Sequence, residues 1–196
     1  GTPLSRAVGS MGAGFGDVDY DGYVDLYLNN GGPNFLRLEP NFLYRNVAGE
    51  RFVDISESAG VGNLGKGHGV SLADYDGDGD LDIYAAMGGH YDGDTWANAL
   101  YRNDGHANHW LTVDLRGALP NSGAIGARLQ IRAGDHVQAA EISSGNGFGC
   151  TNSLPVEFGL GSQTSVDELH IRWPSGKREV HTDVPVDQIL RLEEER

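Results

Sequence analysis

The chain repeats itself, and the repeat limits what it can fold into. Asp17, Asp19, Asp21 and Asp25 recur as Asp74, Asp76, Asp78 and Asp82 at a constant offset of 57 residues. Gly22 recurs as Gly79, Tyr27 as Tyr84 and Gly31-Gly32 as Gly88-Gly89, and "NFLYRN" (41–46) returns as "NALYRN" (98–103) without a gap. One spacing accounts for three separated matches, so the first half is an internal duplication. A unit of this size reads as a propeller blade or a solenoid turn, which buries its apolar face only against a neighbour.

Within each unit the pattern is that of strands. "VDLYLN" (24–29) and "LDIYAA" (81–86) alternate apolar and polar positions, "NFLYRN" gives a second strand and "RFVDIS" (51–56) a third. Gly- and Asn-rich turns between them suit a small antiparallel sheet. After Trp110 the repeat stops. "WLTVDLR" (110–116), "IGARLQIR" (125–132), "LPVEFGL" (154–160) and "ELHIRW" (168–173) each pair one buried with one wet face, as in a sandwich or small barrel. "WPSG" (173–176) reads as a hairpin turn. The expected fold is all-β: two propeller-type blades over 1–109, divided near 57, then a sandwich- or barrel-like domain over 110–196.

The acidic loops show what the repeat is for. "DVDYDGYVD" (17–25) and "DYDGDGDLD" (74–82) place Asp at positions 1, 3, 5 and 9 and Gly at 6. That is the first part of an oxygen cage for calcium: the glycine permits a sharp turn, alternate side chains converge, and position 7 offers a backbone carbonyl. The expected ligands are Asp17, Asp19, Asp21, Tyr23 and Asp25 in one loop, and Asp74, Asp76, Asp78, Asp80 and Asp82 in the other, one Ca²⁺ each. Magnesium demands a smaller, stricter octahedron. An EF-hand is excluded at position 12, where Leu28 and Ala85 replace the bidentate Glu and lie within strands.

Composition closes off other classes. The formal net charge of −14 leaves too few cations for a nucleic-acid or anionic-membrane partner, and no apolar run reaches the roughly 18–20 residues of a membrane span. The opening "GTPLSRAVGS" has no signal-peptide pattern, so the chain is expected to be mature, trimmed or cut from something longer. Cys150 is the one cysteine, which excludes an internal disulfide and reads as a small buried thiol.

At this point the motifs form a known pattern. "GAGFGDVDYDGYVDLYLNNGG" and "GHGVSLADYDGDGDLDIYAAMGG" resemble the FG-GAP (VCBS-type) repeats of β-propellers. "GAIGARLQIRAG", "SSGNGFG", "FGLG", "VDELHIRWPSG" and "TDVPVDQ" resemble the ASPIC/UnbV domain found after such repeats. The resemblance implies blades, structural calcium at the aspartate loops, a secreted or cell-surface setting and no established catalysis. Propellers close with roughly four to eight blades, and this chain has two, so their open faces are expected to meet further blades of a longer chain or a second copy.

The function expected is therefore a calcium-clamped extracellular module for binding, adhesion or self-assembly, with a protein or glycan ligand. An enzyme (a carbohydrate lyase or hydrolase, or a tailoring protein) would use His68, His90 or nearby aspartates over a propeller pocket. "GGHYDGDTW" (88–96), with Asp92 and Asp94, is the candidate for an additional polar pocket, and His106 and His109 in "GHANHW" read as a loop. A third alternative is the subunit of an extracellular fibre. "SGNGFG" (144–149) reads as a tight turn, since its glycines do not match a phosphate loop and no helix follows.

Overall fold

The structure is a computed structural model describing residues 9–32, 38–89, 92–93, 95–105 and 107–195. It is all-β, with no helix among the described residues. The chain divides into two compact units: one takes residues from 1–18, 23–104 and 145–152, the other from 19–22, 105–144 and 153–196.

The first unit contains most of the two copies of the repeat, while 19–22 of the first acidic loop group with the second unit. Strands β1 (Ser10–Gly16), β2 (Asp25–Asn30), β3 (Phe42–Val47) and β4 (Arg51–Asp54) form a four-stranded sheet in chain order, and β5 (Gly67–Ala73), β6 (Asp82–Met87) and β7 (Ala99–Tyr101) form a three-stranded one. Their registers are the same register displaced by 57. Gly14 faces Tyr27 as Ser71 faces Tyr84, and Tyr27 faces Leu43 as Tyr84 faces Leu100. The same offset carries β4 onto the start of β8 (His109–Arg116), which pairs within the other unit instead.

β1 is glycine-rich, a composition that weakens an isolated strand, and the packing of the second sheet on the first explains it. A Cβ on Gly12 would lie 1.9 Å from the His68 carbonyl oxygen, and one on Gly14 would lie 2.5 Å from Leu72 Cδ1. Glycine lets the two backbones close. Between them Asn29, fully buried, donates from its side-chain amide to the carbonyls of Gly69 (2.9 Å) and Ala86 (3.1 Å). β2 therefore departs from simple alternation: Asp25, Leu26, Tyr27, Asn29 and Asn30 are all buried, so both of its faces are covered. A separate cluster of Leu26, Phe42 and Tyr44, with the two rings stacked at 5.5 Å, lies on the other face of the first sheet.

The second unit holds two sheets over one core. β9 (Arg128–Ala133), β10 (His136–Glu141), β12 (Ser165–Arg172) and β13 (Arg178–Pro185) run antiparallel in the order β10-β9-β12-β13. β11 (Val156–Gly161), β8 and β14 (Gln188–Glu193) form the other sheet, with β14 parallel to β8. Leu111, Val113, Leu129, Ile131, Phe158, Leu169, Ile171 and Trp173 fill the space between, which is the sandwich arrangement that the alternating patterns predict. The "WPSG" turn joins β12 to β13: the Gly176 N–H donates to the Trp173 carbonyl at 2.9 Å, and Gly176 takes φ +94°.

Candidate metal centre

Each acidic loop leaves the first strand of its sheet and enters the second. Its shape is set at two residues where the chain turns through the left-handed region. Gly22 and Gly79 both take φ +96°, and two residues earlier Tyr20 (φ +51°) and Gly77 (φ +78°) occupy equivalent places. The glycine at position 6 thus has the role that the spacing predicts.

Three carboxylates converge in each loop. Asp17, Asp19 and Asp21 each bring an oxygen within 4.8 Å of the others, and so do Asp74, Asp76 and Asp78. Ligands around one calcium, with Ca–O distances of about 2.3–2.6 Å, stand no more than about 5 Å apart, so the donor set fits a hard cation. Two Asp-rich clusters of this kind could each hold a metal ion.

Without a counter-charge such clusters repel themselves. The Asp76 carboxyl is pushed above its ordinary value, first by lost hydration and then by the Asp78 and Asp82 charges. Local bonds still hold the second loop together: Asp74 accepts the N–H groups of Gly77 (2.8 Å), Asp78 (3.1 Å) and Gly79 (3.1 Å), and Asp78 accepts that of Asp80 (3.0 Å). Arg102, which pairs closely with Asp104, stands 3.8 Å from Asp76.

Asp25 and Asp82, at position 9, are buried and hold each loop to its sheet. Asp25 accepts the Val18 N–H at 2.9 Å and the Asn46 N–H at 2.7 Å; Asp82 accepts those of Tyr75 at 2.9 Å and Asn103 at 2.8 Å. Both oxygens of each are used, and a carboxylate oxygen has a second lone pair to offer a cation. Tyr23 and Asp80, expected to act through their carbonyls, directly follow the positive-φ glycines.

The same bonds explain the repeated "N-x-L-Y-R-N". Its last Asn caps the position-9 aspartate, as above. Its first, Asn41 or Asn98, accepts the N–H of Asn30 (2.7 Å) or Met87 (2.9 Å) through its side-chain oxygen. The sequence shows these segments as strands without assigning their asparagines partners; the recurrence at the common offset was the available signal.

One histidine meets the first loop: His136 Nε2 stands 2.9 Å from the Gly22 carbonyl oxygen. His68 lies on β5 with its ring 6.2 Å from that of Phe148, and His109 Nδ1 stands 2.8 Å from Asp187 Oδ2. His90, His106 and Asp94 lie outside the described residues, while Asp92 is exposed. Cys150 is half-buried, its thiol directed at the Val70 carbonyl at 2.9 Å, and Gly147 bridges to Cys150 across the tight turn predicted there.

Comparison with known proteins places these features. Residues 17–85 match an FG-GAP-like repeat, and residues 117–196 match the family described as ASPIC and UnbV. The chain is similar to Cartilage acidic protein 1 of Homo sapiens, 29% identical over 171 residues, which cover 82% of this chain and 24% of that protein. It is also similar to Cartilage acidic protein 1 of Xenopus tropicalis, 28% identical over 174 residues, covering 82% and 25%. The chain spans about a quarter of the length of these curated relatives. The two families occur in the order to which the motifs pointed.

Proposed function

We propose that this chain is a non-catalytic, extracellular calcium-binding module in which one Ca²⁺ per loop clamps each blade for binding, adhesion or self-assembly. The observation that carries this reading is the congruence of the loops: two triads of carboxylate oxygens, each within 4.8 Å, on the same hydrogen-bonded frame. Asp17, Asp19, Asp21, Tyr23 and Asp25 would hold one ion, and Asp74, Asp76, Asp78, Asp80 and Asp82 the other. The ion supplies charge neutralisation; the residues supply oxygen donors and a turn already bent around them. Similarity to Cartilage acidic protein 1 supports the extracellular setting, where modules with dissociation constants of about 10⁻⁴–10⁻³ M are common.

Calorimetric titration with Ca²⁺, with thermal melts in calcium and in chelator, tests the reading. At about a hundred times the dissociation constant, each site adds about 2.7 kcal/mol to the folded state. Two equivalents bound and a melting temperature that falls in chelator are expected. No heat and no shift would overturn the clamp.

Self-assembly has an observation of its own. The first sheet buries Tyr27 and Leu43, at 1% and 4% exposure, on the face that meets the second sheet. Their equivalents Tyr84 and Leu100 are 44% and 45% exposed, beside a small hollow lined by Ser71, Ala73 and Tyr75. Phe15, equivalent to the buried Leu72, is exposed on the opposite face of the first sheet. Leu26, Phe42 and Tyr44 on that face are buried, so the open half of a blade-to-blade contact is the Tyr84–Leu100 face, to be filled by further blades of a longer chain or by a second copy. Ser71 and Ala73 replace Gly14 and Gly16, so an incoming blade sits further out than the internal pair does.

A further inference from the structure

The exposed face of sheet β10-β9-β12-β13 carries an unbalanced charge in a chain of net charge −14. Cross-strand register sets Glu141, Arg128, Arg172 and Arg178 in one row, each directly opposite the next. All four are exposed. Glu141 bonds Arg128 at 2.8 Å, whereas Arg172 and Arg178 have no ion pair among the described residues. Like charges directly opposite across a sheet are destabilising, so this arrangement works against the fold. Two rows along, Arg132 is neutralised by Asp167 and Glu168 at 2.8 and 2.9 Å; the same sheet balances one arginine and leaves the others unbalanced.

We propose that this row is a docking surface for a sulfated polysaccharide. Adjacent strands lie about 4.8 Å apart, so the three guanidinium groups arise from backbones spanning about 10 Å across the strands, the form of a track for a linear polyanion. Guanidinium forks bind sulfate oxygens in pairs and lose less hydration than an ammonium would. The next row, Ala139, Gln130, His170 and Val180, adds short apolar groups and two polar ones suited to sugar hydroxyls. These rows line an open groove of about 780 Å³. The face offers no Phe, Tyr or Trp along the groove on which bases could stack, and a groove across the sheet is not an edge to which an acidic peptide strand could add. The surface lies wholly in the second unit and extends the binding reading without depending on the cation loops.

The test is a titration of the full chain in calcium with a size-defined, heparin-type sulfated oligosaccharide. The desulfated oligosaccharide and a polyglutamate peptide serve as comparators. The sulfated probe is expected to bind with an affinity that falls as salt rises. Arg172→Gln with Arg178→Gln should weaken it by about tenfold or more, the loss of one or two charge-assisted bonds, and flatten the salt dependence without lowering the melting temperature. Arg132→Gln, off the row, should leave affinity within about twofold. Absence of binding at low salt would overturn the proposal, as would unchanged affinity in the double variant. Equal affinity for polyglutamate would also overturn it, pointing to an acidic protein segment.

Discussion

At the scale of single residues, the aspartates of one loop do two jobs that substitution can separate. Asp82 is buried and satisfies two backbone N–H groups, so Asp82→Ala should cost about 3 kcal/mol, read in denaturant melts in chelator. Asp76 is raised by its surroundings, and removing its charge relieves repulsion. Asp76→Asn should therefore leave the chelated protein at least as stable while reducing the calcium-dependent rise in melting temperature. Glu168 follows the opposite sign. A hydrogen bond from His170, then one from Arg132, holds its carboxyl below the usual range. Its contribution is present above its unfolded pKa, about 4.3, and disappears as the pH falls through the lower folded value. Glu168→Gln should flatten that part of an acid titration of stability, while a melt at neutral pH still shows whether the fold is intact.

At the scale of elements, glycines determine how closely the blades approach. On Gly12 an added Cβ meets a backbone oxygen, the His68 carbonyl, which cannot swing away as a side chain can. Gly12→Ala should cost about 3 kcal/mol or more by overpacking, read as a lower denaturant midpoint. Period-2 patterning missed β1 because its inner positions are glycines, against which the His68 carbonyl and the Val70 and Leu72 side chains of β5 close. It found β2, β3, β6 and β7, where side chains do the packing. Asn29 was equally hard to find, since its acceptors lie 40 and 57 residues away along the chain.

At the scale of the molecule, the duplication ends with Tyr84 and Leu100 exposed on the outer face of its second sheet. If Tyr84 and Leu100 meet a blade from a second copy, Tyr84→Lys with Leu100→Lys should convert an associated species to monomer in light scattering at equal protein concentration. A monomer already present in the unsubstituted chain would remove the second-copy version and leave the longer-chain one. Head-to-tail contacts of this type close into rings or extend into filaments according to their rotation.

What the sequence determined by itself was local: the 57-residue period, the turn at Gly22 and Gly79, the converging aspartates and the one-sided strands of the second unit. Each depends on spacing over a few residues, where side-chain direction follows directly from chain geometry. Only the tertiary structure decided that β14 runs parallel to β8, that 145–152 joins the first unit, and that Arg128, Arg172 and Arg178 share a row. Those arrangements depend on which distant strands pair and in what register. The choice is set by burial across the whole core, so no short window of residues records it.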